Sequence, residues 1–157
     1  MKSLDEQLLT YRQQHTNNIN RMTHYVGIPA LVFGLLMLLN WITINIATKA
    51  EFSFSWLLLA GTLVYYFLLN KKLSAAAAIA LIPFTFIATL IARPAPTHFS
   101  FTLFLILFIG GWALQFIGHF FEKKKPAFMI SATQLLIGPL FILTKAIEAL
   151  GLQKYVG

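Results

Sequence analysis

The chain has 157 residues, of which 58% are hydrophobic and only 11% are charged. This composition lies well to the apolar side of water-soluble domains. The absence of cysteine excludes disulfides, thiolate metal sites and cysteine nucleophiles. The net charge of +7 is divided among short loops, which is typical of an orientation signal in a membrane protein and not of a nucleic-acid-binding surface. We therefore expect an integral membrane protein that contacts membrane lipids and no nucleic acid.

The fold class follows from five long stretches without charged residues, each near or above the ~20 residues that cross a bilayer as a helix. These stretches are 22–48, 52–70, 73–92, 94–121 and 126–144. They lack the alternation of a barrel strand, and lipid cannot satisfy free backbone polar groups, so only helices can span. The predicted fold is all-α, a polytopic membrane protein with a single domain over 1–157.

The N-terminal region 1–21 is polar and of mixed charge. Ser3 and Glu6 predict a capping box, and apolar residues then repeat at helical spacing, at Leu4, Leu8, Leu9 and Tyr11. We expect a short amphipathic helix on the membrane surface that ends near His15, followed by a polar turn. No small-residue cleavage site follows the first apolar run, which argues against a removed signal peptide.

The transmembrane bundle is predicted over 22–145, with four to five spanning helices. Gly27 and Pro29 suit the first turn of span one, which would run to about Thr48. Spans two, three and four are expected near 52–70, 73–92 and 99–118. A fifth segment, 127–145, is interrupted by Gly138-Pro139 and could span, kink, or dip in and return.

The orientation follows from the lysine and arginine residues of the short loops. Eight lie on the side of the N-terminus: Lys2, Arg12, Arg21, Lys71, Lys72, Lys123, Lys124 and Lys125. The opposite loops hold only Lys49 and Arg93. The N-terminal side is therefore predicted to be cytoplasmic. The compact chain favours a bacterial inner membrane, or the endoplasmic reticulum if the source is eukaryotic.

This topology brings three histidines to one membrane boundary. His15 and His24 precede span one and His119 follows span four, whereas His98 falls at the opposite boundary. Neutral imidazoles in this position could converge on a divalent metal. Glu122, one helical turn after His119, could be a further ligand or could orient an imidazole.

Several uncharged polar residues lie near the same boundary among apolar neighbours: Asn17, Asn20, Gln115 and Gln134. They fit an outer shell around a metal or the rim of a substrate site. The alternative is that the histidines and amides are simply interfacial, since the headgroup zone tolerates such residues. On residues alone, both interpretations stay open.

Two stretches carry a resemblance to a known family. They are His15-x-Asn17-x-x-Asn20-Arg21-x-x-His24-x-x-Gly27-Ile28-Pro29 and Trp112-Ala-Leu-Gln-Phe-Ile-Gly-His119-Phe-Phe-Glu122-Lys-x-x-Pro-Ala127. Together they resemble the membrane 2-hydroxy fatty acid dioxygenase family over nearly the whole chain. The resemblance implies an Fe(II) enzyme of fatty-acid α-oxidation, which uses O2 without 2-oxoglutarate to shorten a 2-hydroxy fatty acid by one carbon. It also implies that His15, His24 and His119 bind the iron and that Glu122 is the family's carboxylate.

The implied substrate is chemically suited to such a site. A 2-hydroxy acid can chelate iron through its hydroxyl and one carboxylate oxygen if the protein supplies only three or four ligands. The acyl chain would lie among the spans. Arg12, Arg21 or a lysine of 123–125 could neutralise the carboxylate. The predicted substrate-binding residues are Arg12, Asn20, Arg21 and Gln134.

Two other classes of function remain open at this stage. A membrane cytochrome could hold a b-type haem between two histidines, such as His24 and His119. A small transporter or lipid-binding protein without enzymatic activity would use the histidines only as interfacial residues.

Overall fold

The computed structural model describes residues 3–47, 50–126, 129 and 131–156. Its helices are α1 (Leu4–Gln13), α2 (Asn18–Asn40), α3 (Phe54–Leu69), α4 (Lys71–Ala92), α5 (His98–Glu122), α6 (Gln134–Ala149) and α7 (Gln153–Val156). The strands β1 (Thr43–Ala47) and β2 (Ala50–Ser53) form an antiparallel hairpin between α2 and α3. The prediction of an all-α protein is confirmed, and the hairpin is a small addition to it.

The surface of the bundle identifies its solvent as lipid. Helices α2, α4 and α5 are each long and apolar enough to cross a membrane, and α3 is a shorter apolar helix of 16 residues. Large apolar side chains lie on the outside of these helices, with Ile79 and Phe120 each 78% exposed. Exposing so continuous an apolar surface to water would be unfavourable in free energy, whereas the hydrocarbon of a bilayer can cover it without this cost. The chain is therefore a membrane protein.

The predicted N-terminal capping box is confirmed. The Ser3 hydroxyl accepts from the Glu6 amide at 3.2 Å, and the Ser3 amide donates to the Glu6 carboxylate at 2.8 Å. Helix α1 ends at Gln13, and the side chain of Asn17 caps the next helix by accepting from the Ile19 amide at 2.8 Å. The chain therefore bends between His15 and His24.

The predicted bounds of span one were wrong at both ends. Helix α2 begins at Asn18, because Asn17 caps it, and it continues through Pro29 to Asn40. The β-branched sequence that follows forms β1, so the helix does not reach the predicted end near Thr48, itself outside the described residues. At this end Trp41 Nε1 donates to the Ala92 carbonyl at 2.8 Å, which places the last residues of α2 and α4 at the same boundary.

Helices α2 and α5 form the most extensive helix pair among the described elements. Glycines spaced by seven residues line their interface, Gly27 and Gly34 on α2 and Gly111 and Gly118 on α5. A Cβ atom on Gly111 would lie 2.9 Å from the Leu31 amide nitrogen, so any larger residue there would push the helices apart. Such small residues let membrane helices pack at close range.

The last segment begins and ends at the same boundary. Lys124 Nζ donates to the Gln13 carbonyl at 2.8 Å, and Arg12 pairs with Glu148 at 3.5 Å. Residues 124 and 148 therefore both contact the end of α1, so the chain between them starts and finishes at one boundary. Within the described residues, the bundle thus crosses the membrane with α2 to α5 only; residues 127, 128 and 130 of the predicted fifth segment lie outside that description.

Candidate metal centre

Three histidines from separate parts of the chain meet at the boundary where α2 begins and α5 ends. His15 lies in the turn after α1, His24 lies in α2 and His119 lies in α5. Their ring centroids are separated by 4.5 Å (His15 to His24), 4.8 Å (His24 to His119) and 5.1 Å (His15 to His119). All three side chains are buried. The structure thus brings together the three histidines singled out by the sequence.

Backbone carbonyls orient two of the rings. The Nδ1 atom of His15 lies 2.7 Å from the Tyr11 carbonyl oxygen, and that of His24 lies 2.8 Å from the Asn20 carbonyl oxygen. A carbonyl can only accept, so Nδ1 carries the proton in both rings and Nε2 keeps a free lone pair. A hydrogen bond of this kind to the distal ring nitrogen is typical of metal-binding histidines. The Tyr11 ring stacks on the His15 ring, with the ring centroids 4.0 Å apart and an angle of 10° between the ring planes.

The free nitrogens fit a metal ion. Within the described part of the chain, His15 Nε2 and His119 Nδ1 are buried without a hydrogen-bond partner, which is costly unless another ligand satisfies them. One potential ligand atom from each ring lies within 4.8 Å of the others. Nitrogens that each bind an ion at ~2.1 Å are at most ~4.2 Å apart, so small ring rotations would close the site. The three-histidine set therefore fits a divalent transition metal.

The protonation state of the first histidine also suits a ligand. Burial lowers the pKa of His15 below its ordinary value, and this effect outweighs the opposing influence of the Tyr11 carbonyl and the Glu122 carboxylate. His15 is therefore neutral at physiological pH. Neutral imidazole is the form that binds metals.

Glu122 links the end of α5 to the turn that carries His15 through hydrogen bonds. One carboxylate oxygen accepts from the Thr16 amide at 3.0 Å and from the Thr16 hydroxyl at 2.5 Å. The other oxygen accepts from the Asn17 amide at 2.8 Å and from Asn20 Nδ2 at 3.0 Å. The carboxylate also lies at the N-terminus of α2, where the helix dipole favours a negative charge.

These contacts bear on whether Glu122 is a metal ligand or orients the ligands. Both of its oxygens are already occupied by donors, and the three-histidine group is formed without it. Through Asn20 it is linked to His24, since Asn20 donates to Glu122 and its carbonyl accepts from the His24 ring. The geometry thus favours a residue that orients the ligands over one that binds the metal.

A cavity opens beside the histidines. Its walls combine apolar side chains, among them Trp112 and Leu135, with two amides, Gln115 and Gln134. Gln115 Nε2 and Gln134 Oε1 are buried without a partner in the described part of the chain. One site thus offers a donor, an acceptor and three imidazoles to a polar group.

The other predicted substrate-binding residues lie away from this cavity. Arg12 pairs with Glu148, and Arg21 donates to the Asn18 side chain. Asn20 lies behind the histidines, where it contacts Glu122 and the Gln14 carbonyl. Of the four, only Gln134 lines the cavity, and the roles of the others in binding substrate stay predictions.

Two contributors were missed at the level of sequence. The apolar pattern of α1 includes Tyr11, although its position four residues before His15 is the spacing at which a ring and a carbonyl can contact a histidine. Thr16 falls in the predicted polar turn, and nothing in its sequence position indicates that it would bind a carboxylate 106 residues away.

The fold and the site together define a class: a helical membrane protein with a candidate metal centre of three buried histidines at one boundary. A family model described as 2-hydroxy-palmitic acid dioxygenase Mpo1-like matches residues 1–150. The chain therefore belongs to the Mpo1-like family, which confirms the resemblance found in the sequence.

A curated relative agrees with this assignment. The chain is 28% identical over 150 residues to the 2-hydroxy-palmitic acid dioxygenase MPO1 of Saccharomyces cerevisiae, and the alignment covers 94% of this chain and 82% of the yeast protein. No solved structure matches the chain.

Proposed function

We propose that the protein is an Fe(II)-dependent dioxygenase that removes one carbon from 2-hydroxy fatty acids without 2-oxoglutarate. Family membership and the yeast relative's name support a dioxygenase that acts on hydroxy fatty acids in the membrane. The observation that carries the proposal is the group of three buried imidazoles, two of them aimed by backbone carbonyls.

The donor set is compatible with iron. Imidazole binds Zn, Cu, Fe and Ni, and among these iron is a metal commonly used for O2 chemistry in non-haem sites. Three protein ligands leave coordination positions open. Fe(II) bound there would supply the redox chemistry that lets O2 react with an organic substrate.

The reaction balances without an external reductant. A 2-hydroxy acid, R–CH(OH)–COOH, and O2 yield R–COOH, CO2 and H2O. The bond between C1 and C2 breaks, C1 leaves as CO2 and C2 becomes the new carboxyl carbon. The substrate loses four electrons in total, and one O2 accepts four.

The protein's own groups would bind and orient the polar head. Gln115 Nε2 is available to donate to the substrate carboxylate, and Gln134 Oε1 to accept from its hydroxyl. Apolar walls such as Trp112 and Leu135 would exclude water from the reacting carbons. Glu122 would keep the turn with His15 in place.

The alternative of a b-type haem is less compatible with this geometry. The ring centroids of His24 and His119 lie 4.8 Å apart, and the two ring planes are at 90° to each other. The His15 ring contacts both of these rings. This packing leaves no slot for a macrocycle between two of the rings. A strong Soret band in purified protein would nevertheless favour the haem alternative.

The N-terminal side is proposed to be cytoplasmic. Because the last segment returns to the boundary from which it entered, Lys145 and Lys154 join the eight basic residues of that side. Ten of the twelve lysines and arginines then lie there, which is the distribution expected of cytoplasmic loops. A bacterial inner membrane would place the site at the cytoplasmic face.

The activity is tested by supplying 2-hydroxypalmitate and O2 to iron-loaded protein and measuring the acid one carbon shorter. We expect product from the wild type and from His98→Ala, whose exposed histidine lies at the opposite boundary. We expect at least a 100-fold loss for His24→Ala. Absence of product from iron-loaded wild-type protein would reject the proposed reaction.

A further inference from the structure

A second cavity lies deeper in the bundle. It lies between α2, α3, α4 and α5, and the first residues of α6 line it on the side of the histidines. Its walls are almost entirely apolar, with Leu58 and Leu59 of α3 facing Phe108 of α5 across it. Helix α3 packs mainly on α4, and α5 packs mainly on α2, so a space is left between α3 and α5.

The deep cavity adjoins the histidine cavity. The same four side chains line both spaces: Leu31, Val32, Trp112 and Leu135. A molecule whose polar end lies among the histidines could therefore extend its apolar part into the deep cavity without displacing a helix. The polar groups gather at one end of this combined space, and hydrocarbon surfaces make up the rest.

The depth of the combined space matches a long acyl chain. Leu36, at the far end, follows His24 by twelve residues of the same helix, which corresponds to ~18 Å at 1.5 Å per residue. An extended hydrocarbon advances ~1.25 Å per carbon, given C–C bonds of ~1.5 Å at the tetrahedral angle. About 14 carbons beyond the hydroxyl-bearing carbon therefore fit.

The far end of the deep cavity is closed by well-packed residues. Leu36, Leu59 and Thr85 are 4%, 7% and 0% exposed. The Thr85 hydroxyl is buried there without a hydrogen-bond partner among the described residues. Because these side chains are packed on their other sides, a chain longer than the cavity meets a fixed wall and not a surface that can yield.

We propose that the deep cavity binds the acyl chain of the substrate and that the residue at position 85 sets the upper limit of chain length. This inference rests on the proposed function for the placement of the head group at the histidines. The terminal methyl group lies against Leu36 and Thr85. The fatty acid can thus remain within the membrane-spanning part of the protein while its polar end reaches the boundary.

A third cavity provides the competing location. It lies between α2, α4 and α6, where Ala77 and Ala80 line it, and it shares only Ile28 and Val32 with the histidine cavity. It therefore adjoins the histidines less extensively than the deep cavity does. A label placed on the acyl chain separates the two locations.

The test uses 2-hydroxypalmitate with a photoactivatable diazirine near its methyl end, bound to wild-type protein in lipid nanodiscs without O2. We expect cross-links at or beside Leu36, Leu59 and Thr85 that unlabelled 2-hydroxypalmitate prevents. Cross-links at Ala77 and Ala80, or labelling that the competitor does not reduce, would overturn the inference.

A pair of substitutions at one position tests the limit on chain length. Thr85→Phe fills the far end, and Thr85→Val keeps the volume while removing the hydroxyl. Each methylene that no longer fits lowers the binding affinity by ~10-fold or more. Thr85→Phe should therefore lower the affinity for the C16 2-hydroxy acid by at least that factor relative to the affinity for the C12 acid. Thr85→Val should bind both acids as the wild type does. An unchanged preference in Thr85→Phe would overturn the limit.

The outcomes are distinct from a failure of the proposed reaction. Cross-links in the deep cavity without formation of the shorter acid would reject the reaction and keep the acyl site. Formation of the shorter acid with cross-links elsewhere would keep the reaction and reject the acyl site.

Discussion

Replacing the carboxylate that fastens α5 to the histidine turn should loosen the metal centre without touching a ligand. Glu122→Gln has nearly the same shape as the native side chain, but one oxygen becomes an NH2 group. Each oxygen of Glu122 now accepts two hydrogen bonds. In whichever orientation the amide settles, its NH2 group faces at least one N–H donor that previously had an acceptor.

The magnitude follows from these contacts. The side chain is 1% exposed, so water cannot replace the lost acceptor. An unpaired buried donor costs about 1–3 kcal/mol, and a bond to a neutral acceptor is weaker by about 1 kcal/mol than one to a charged acceptor. We expect the substitution to destabilise the ordered turn by about 3 kcal/mol in total. This corresponds to roughly a 100-fold change in the equilibrium constant between the ordered and the loosened turn. Loss of such outer partners typically lowers metal affinity by about 10–100-fold.

The assay is an anaerobic titration of Fe(II) against a chelator of known affinity. The matched control is Glu148→Gln, the same substitution at a carboxylate that is 37% exposed and pairs with Arg12 at 3.5 Å. Exposed pairs of this kind are worth about 0–1 kcal/mol, so the control should bind iron as the wild type does. Equal affinities for Glu122→Gln and Glu148→Gln would refute the role assigned to the carboxylate.

Three further predictions concern packing, ring stacking and topology. Gly118→Ala should destabilise the bundle by about 1–3 kcal/mol in a denaturant titration, because its Cβ would clash with α2, whereas Gly61→Ala, with nothing within 4 Å, should not. Tyr11→Ala should release iron faster in a stopped-flow chelation assay, since the ring that stacks on the first histidine is lost, and Tyr11→Phe should behave as the wild type; equal release rates from both variants would contradict this. In the cysteine-free chain, cysteines replacing Lys154 and Ala95 should be labelled by an impermeant maleimide from opposite sides of the membrane, and labelling of both from one side would contradict the returning course of α6.

The convergence of the histidines could be predicted because it depends only on topology. Four crossings separate His24 from His119, and an even number of crossings returns the chain to the same boundary whatever the packing of the helices. The bend between His15 and His24 could also be predicted from the sequence, since asparagine, here Asn17, is a strong helix cap. Residue type and segment count were enough for this part of the site.

Other features depend on tertiary contacts that have no local signal. The return of the last segment is fixed by Lys124 and Glu148, which both contact the end of α1. The position of Arg12 outside the cavity follows from the same contact with Glu148, a pairing across 136 residues that has no local signal in the sequence. The hairpin after α2 was missed because Thr43–Ala47 is as apolar as a helix end, so hydropathy alone does not separate the two.

The central claim is that His15, His24 and His119 together hold one Fe(II). It is tested most directly by the iron content of anaerobically purified protein, measured for the wild type, for the three single alanine variants and for His98→Ala. We predict close to one iron per chain in the wild type and in His98→Ala, and less than a tenth of that in each of the other three. Full iron content in any of those three variants would contradict the account.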